Sequence, residues 1–415
     1  MKKTKLFIPI LAGLIVGQIF AEGNRPFSII NTLRFGYDDN VSREADGTGS
    51  SFMEDVVDFA FNTSLSDRTD LVVKSQVRIK TDTESKIHPN LYAVLSHSVS
   101  PRLMFRFSDK FRSADKTSGT SNGKHDYYTN DLGASATYVL TQKDRLELSL
   151  NHQLRRHDEE IEEDDSTTLS AGISWARDIR PQRTSSKLNL NVRTTEYDKR
   201  TVAGTMIVGG VANTGFFESD TSGYDALDLT LEVNHTFNPK WQGTIEGGFT
   251  YVMPDKRDYT ITAVGGVPLL VPIMVNADNK AYLSPIFKVG ATYSPSPRTR
   301  VTGNYAHIFS ESNDSDYIGQ AADDFRFGIQ HDVTAKIMAK ATARFLYTTY
   351  EEDDSESSSN AQPDQERMDL EFRLTYKLNR LNFLEMGIKH SEQSYDDGNG
   401  DWDQNMFDVG WRVEL

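Results

Sequence analysis

The chain has no cysteine among its 415 residues. That excludes a disulfide framework, a thiolate metal site and a cysteine nucleophile. It also lacks any run of about 18 apolar residues beyond its N-terminus, so it does not cross a membrane as helices. Basic charge is in deficit: 45 Lys and Arg stand against 60 Asp and Glu, a net charge of -15, the opposite of a nucleic-acid-binding surface. No H-E-x-x-H, G-x-S-x-G or phosphate-binding loop occurs, so neither enzymatic activity nor a bound cofactor is expected. With a mean hydropathy of -0.52, composition alone describes an acidic soluble protein. The order of the residues says otherwise.

Residues 1–21 begin with Lys2, Lys3 and Lys5 and continue through an apolar run from Leu6 to Phe20 to Ala21. This is the pattern of a secretory signal peptide, and it makes 22–415 the mature domain. Removing the three lysines takes the net charge from -15 to -18.

From there, apolar and polar residues alternate. Leu33, Phe35 and Tyr37 oppose Arg34 and Asp38; Leu146, Leu148 and Leu150 oppose Glu147, Ser149 and Asn151; Leu227, Leu229, Leu231 and Val233 oppose Asp228, Thr230, Glu232 and Asn234. The last segment repeats the pattern, with Phe407, Val409, Trp411 and Val413 against Asp408, Gly410, Arg412 and Glu414. A period of two means strands with one apolar and one polar face.

A recurring turn punctuates the strands. His97–Arg102, Tyr138–Arg145, His235–Lys240, Tyr293–Arg298, His331–Lys336 and Tyr376–Arg380 each place an amphipathic ring before a tight turn and a basic residue after it; Leu65–Asp70 and Arg177–Arg183 fill the same slot. Between them lie long, often acidic loops at Asp39–Ser51, Ala114–Asp126, His157–Asp165, Glu311–Asp324, Glu351–Gln365 and Ser394–Gln404. Short turns at one end and long loops at the other are the asymmetry of an outer-membrane barrel. We therefore expect an all-β fold, a transmembrane antiparallel up-and-down β-barrel of about 18 strands, with 16 as the alternative. A soluble sandwich is disfavoured because one core rarely extends beyond ~250–300 residues.

With the apolar parity toward lipid, the other parity lines the interior. The candidate lining is Lys74, Arg78, Lys80, Arg106, Lys110, Arg112, Arg155 and Arg193 in the first half, and Arg326, Lys340, Arg344 and Arg373 later. Asp228, Glu232 and Glu246 supply an acidic stretch between them. Opposed charges across a wet pore would orient dipolar solutes and ions. The loops Lys199–Gly223 and Met253–Lys280 stand apart, each carrying Val-Gly-Gly-Val, at Val208–Val211 and Val264–Val267, in apolar surroundings. Gly-Gly between β-branched residues signals a hairpin, and two such hairpins are expected to pack on each other, enter the pore or meet a partner. Asp397, Asn399, Asp401 and Asp403 alternate with or flank glycines, so their oxygens could wrap a calcium ion; a solvated acidic loop is the plainer reading.

The opening strand ends in Tyr37-Asp38-Asp39-Asn40-Val41. In an exported acidic barrel this run resembles the putative β-barrel porin 2 family of Gram-negative bacteria. The resemblance implies an outer-membrane channel, with polymer export as a further association of some members. The final strand is similar to the C-terminal insertion signal of outer-membrane barrels, through Phe407 and Trp411, but ends in Leu415 where Phe is common. The expected partners are outer-membrane lipid and lipopolysaccharide, the barrel-assembly machinery, and small hydrophilic solutes or polysaccharide, with no nucleic acid. The expected function is passive passage of hydrophilic solutes, the alternatives being an exopolysaccharide secretion channel and a non-conducting surface scaffold or adhesin.

Overall fold

The computed structural model of the chain describes residues 26–82, 85–117, 124–157, 165–197, 200–208, 211–220, 223–254, 257–264, 267–277, 281–310, 319–351, 364–396 and 400–415. The expected leader at 1–21 lies outside the described residues. No described helix is long and apolar enough to cross a membrane, and every assigned element is a strand.

Eighteen strands form one antiparallel sheet that closes on itself. They are β1 (Phe27–Asp38), β2 (Ser50–Ser66), β3 (Thr69–Thr81), β4 (Ser85–Ser100), β5 (Leu103–Thr117), β6 (Lys124–Val139), β7 (Asp144–His157), β8 (Ser166–Arg180), β9 (Thr184–Tyr197), β12 (Gly223–Asn238), β13 (Trp241–Pro254), β16 (Tyr282–Ser296), β17 (Thr299–Ser310), β18 (Gly319–Asp332), β19 (Ile337–Glu351), β20 (Gln365–Lys377), β21 (Asn382–Tyr395) and β22 (Trp402–Glu414). Each pairs with the next in this order, and β22 pairs with β1 over nine residues from Ile30↔Glu414 to Asp38↔Met406. Following the registers once round the wall returns to β1 displaced by 22 residues. That stagger tilts the strands by about 40°, and eighteen strands at their usual spacing then enclose a barrel on the order of 35 Å across. Side chains alone do not fill such a width.

All eight expected short turns fall between the predicted strand pairs. Seven share one chemistry. A Ser, Thr or Asn just after the last apolar residue accepts a backbone N–H two residues on: Ser66 from Arg68, Ser100 from Arg102, Thr141 from Lys143, Asn238 from Lys240, Ser296 from Arg298, Thr334 from Lys336, and Asn379 from Leu381. Such side-chain turns replace a backbone turn and keep the connection tight. The β8–β9 turn differs: Arg183 N–H bonds Arg180 C=O at 2.9 Å, with Gln182 at positive φ.

The opposite connections are longer, but strands intrude on three regions read as loops. Ala114–Asp126 is largely taken up by β5 and β6, which pair as far as Thr117↔Lys124. Lys199–Gly223 contains β10 (Arg200–Val208) and β11 (Val211–Asp220), and Met253–Lys280 contains β14 (Arg257–Val264) and β15 (Val267–Ala277). These four strands form a second antiparallel sheet, joined by β11 and β14 from Phe217↔Ile261 to Asp220↔Asp258. Of the three outcomes expected for the Val-Gly-Gly-Val hairpins, mutual packing is the one the pairing displays. On β12, β13, β16 and β17, Tyr224, Ala226, Val252 and Phe309 make a buried apolar cluster with Tyr282.

Large apolar residues stand exposed along one parity throughout, among them Phe107, Leu148, Leu150, Leu231, Phe327 and Ile388. Water would not tolerate so continuous a belt on a monomer; lipid requires it. The polar parity faces inward.

Candidate pore lining

The inward charges do not stand as separate basic and acidic walls. Cross-strand register pairs most of them. In β20, Arg373 reaches across β21 to grip Asp408 of β22 with both terminal nitrogens, at 3.0 and 3.1 Å, and also contacts Glu371 at 3.2 Å and Glu385 at 3.7 Å. From the other side of the closing seam, Arg34 of β1 meets Glu54 of β2 at 2.8 Å, Glu385 at 3.5 Å and Asp408 at 3.9 Å. Arg78 of β3 completes the chain with Glu54 at 2.5 Å, and Arg412 adds a 3.1 Å contact to Glu385. The network thus spans six neighbouring strands on both sides of the seam.

The fork over β21 needs a residue without a side chain there. Gly387 occupies it, and a Cβ at that position would overlap both the Asp408 carboxylate and the Arg373 guanidinium. Gly387→Ala should therefore spread the pair and cost about 2 kcal/mol of barrel stability, measured as a lowered urea midpoint. An unchanged midpoint would show that the fork is not held by this gap.

The acids of these groups lie against the wall and the cations lie over them. Asp324 is 9% exposed at its side chain beneath Arg326, 60% exposed, and Arg344, which it accepts at 2.5 and 2.9 Å. Asp369 accepts from Ser391 at 2.7 Å and Arg367 at 3.0 Å, with Lys389 at 3.5 Å. The three acids expected to form an acidic stretch are also engaged. Asp228 accepts from Thr250 at 2.7 Å and Asn191 at 3.2 Å and lies 3.9 Å from Arg193; Glu246 pairs with Lys288 at 3.1 Å; Glu232 accepts from Asn234. Lys80 sits 3.0 Å from Asp82 and 3.9 Å from Asp38, and Arg112 sits 3.7 Å from Asp131. Arg106 donates to the Tyr92 hydroxyl at 2.9 Å. Lys74, Lys110, Arg155 and Lys340 have no ion pair among the described residues. The groups that project inward are thus mainly cationic.

Sequence reading did not single out Arg34, Glu54, Asp324 or Glu385, although Arg34 lies on the polar parity. Their parity was readable, but their partnership depends on register between strands far apart in sequence.

The Tyr37–Val41 run has a structural role. Asp38, 1% exposed, accepts Gln404 Nε2 at 2.8 Å on both oxygens and Asn40 N–H at 3.1 Å. Asp39 accepts from the backbone and side-chain amides of Asn405, at 2.6 and 2.8 Å. Asn40 donates to the carbonyls of Glu44 and Asp403, both at 2.8 Å. The run latches the end of β1 to the start of β22. Asp403 thereby contributes its backbone to the latch, and Asp401 accepts Tyr395 N–H at 2.8 Å. Of the expected calcium ligands, Asp397 and Asn399 lie outside the described residues, and no group of three or more metal-ligating side chains occurs among those described.

Residues 285–415, from β16 to the end of the chain, match the model of the family described as Putative beta-barrel porin 2. The Tyr37–Val41 run lies outside that match, although its latch partners lie within it. No curated protein matches the chain. Among solved structures it is similar to the ferric citrate transporter FecA in its unliganded form, with 8% identity, 95% of this chain and 80% of that chain covered, and a TM-score of 0.47. It is likewise similar to the ferric yersiniabactin uptake receptor FyuA from Yersinia pestis, with 8% identity, 95% and 81% coverage, and a TM-score of 0.49. The closed barrel, its outward apolar belt and the porin-family match identify this chain as an outer-membrane β-barrel of the cell.

Proposed function

We propose that the barrel is a passive, non-enzymatic channel for hydrophilic solutes that favours anions over cations. The observation that carries this reading is the layering of inward charge: recessed acids are covered by guanidiniums, as at Asp324 under Arg326 and Arg344. Lys74, Lys110, Arg155 and Lys340 add cations with no ion pair among the described residues. Inside a wide, wet barrel, projecting cations raise the local concentration of anions and lower that of cations. Neutral hydrophilic solutes gain hydrogen-bond partners from the same wall.

The test is a planar bilayer containing the refolded mature protein. Stepwise conductance is expected, with a reversal potential in a salt gradient that reports anion preference. Reversing Lys74, Arg106 and Lys110 together to Glu should shift the permeability ratio several-fold toward cations, because none of the three is committed to a buried acid. An unchanged ratio in a conducting variant would reject this lining. Silence from a barrel verified as folded would reject passive conduction.

A further inference from the structure

The short-turn rim carries a composition that tight turning alone does not demand. At seven of the eight turns an outward-facing apolar residue sits at the strand end and is 45–62% exposed: Leu65, Val99, Leu140, Ile179, Phe237, Val333 and Leu378. The eighth turn has Pro295 and Pro297 there. Within two to four residues an exposed cation follows at every one. It is Arg68, Arg102, Lys143 and Arg183 on one half of the wall, and Lys240, Arg298, Lys336 and Arg380 on the other.

The apolar members continue the lipid-facing parity of their strands, as Phe237 continues Leu231, Val233 and His235. The belt therefore runs down to the turns without a polar margin, and the cations lie one step beyond it. Amphipathic rings occupy the same level. Trp241 stacks on Tyr293 at 4.1 Å, and His97, His235 and His331 are each held by a threonine that begins a neighbouring strand, Thr69, Thr184 and Thr299, at 2.8–2.9 Å. The opposite end carries acids among the described residues, such as Asp39, Glu44, Asp46, Asp396 and Asp403. An apolar edge bordered by aromatic rings and then by Lys and Arg matches the layers of a bilayer surface, from acyl boundary to phosphate.

We propose that the short-turn rim is a binding surface for anionic phospholipids, the apolar turn residues entering the acyl boundary and the ring of cations pairing with headgroup phosphates. Charge complementarity and continuity with the lipid-facing belt select a lipid surface over a soluble acidic protein. The inference is independent of conduction, since it concerns the outside of the barrel.

The mature protein folded into phosphatidylcholine vesicles would be compared with the same protein in vesicles that also contain phosphatidylglycerol. The urea midpoint should rise with phosphatidylglycerol, and the rise should fade as salt is added. The variant R102Q/K240Q/R298Q/K336Q, which removes four of the eight cations, should match the parent in phosphatidylcholine and lose about half of the rise. Should that variant fail to fold, R102Q/K240Q and R298Q/K336Q separately should each lose about a quarter. A rise of equal size in parent and variants would overturn the proposal. So would a parent indifferent to phosphatidylglycerol, which would leave the rim to a protein partner.

Discussion

Asp38→Ala is expected to lower the stability of the folded barrel by about 3 kcal/mol. The carboxylate is 1% exposed and accepts three hydrogen bonds, two from Gln404 and one from Asn40. Alanine removes the acceptor and leaves the Asn40 N–H unpaired in a buried site, while Gln404 keeps only its 3.0 Å bond to the Asn40 carbonyl. The position magnifies the loss. The β1–β22 pairing joins segments more than 360 residues apart in sequence, so no local connection restores it once it opens, and two unpaired edges would face lipid. At the other end of the seam, Ile29 and Leu415 exchange backbone bonds at 3.2 and 2.8 Å; the latch therefore guards the loop end. The measurement is the urea midpoint, together with the temperature at which the barrel loses its compact migration in detergent electrophoresis. Asp39→Ala is the control. Its partners Asn405 N–H and side-chain amide are exposed, so its cost should be about 1 kcal/mol or less. Equal costs at the two positions would reject burial as the source of the effect.

Much of this architecture was legible in the chain because a barrel wall is a local code. Alternation names the strands, and the turn pattern of an amphipathic ring, a tight connection and a basic residue names their ends, as in His97–Arg102 and His235–Lys240. Counting those turns sufficed for eighteen strands. What alternation cannot give is register. Arg373 and Asp408 are both inward by parity, yet their contact depends on the offsets β20–β21 and β21–β22 and on the gap at Gly387. The same limit explains why acids and cations read as facing walls when neighbouring strands bring them together. Strand length was also hidden. Loops rich in polar residues, such as Ala114–Asp126, continue the ladder beyond the apolar belt, where no hydrophobic alternation marks it. Parity itself has exceptions: Asp55 and Asp109 stand on the outward face, each hydrogen-bonded to an asparagine of the neighbouring strand, Asn31 at 2.6 Å and Asn130 at 2.8 Å. A polar residue on the apolar parity is tolerable only with such a partner, which a linear sequence does not display.

The inward network makes the second large effect a matter of which ion is left alone. Arg373→Ala should cost about 3 kcal/mol, the low end of what breaking a buried pair costs. Asp408, with its side chain 8% exposed, would keep only the 3.9 Å contact with Arg34. Glu385 would suffer less, since Arg412 and Arg34 still lie within 3.1 and 3.5 Å. The asymmetry yields a sharper test than the single substitution. Because the penalty is an uncompensated carboxylate at Asp408, Arg373→Ala combined with Asp408→Asn should recover a large part of the lost urea midpoint. Arg373→Ala combined with Glu385→Gln should recover little, because it also strips Arg34 and Arg412 of a partner. If both double variants recover equally, the seam is stabilised by total charge and not by this particular pair. If neither recovers, the arginine acts through the packing of its stem over Gly387. The pairwise outcome would mean that the inward wall is also the wall that keeps the barrel closed, with the arginines nearest the seam serving structure; under the proposed conduction, selectivity would then fall to the cations of β3 and β5, Lys74, Arg106 and Lys110.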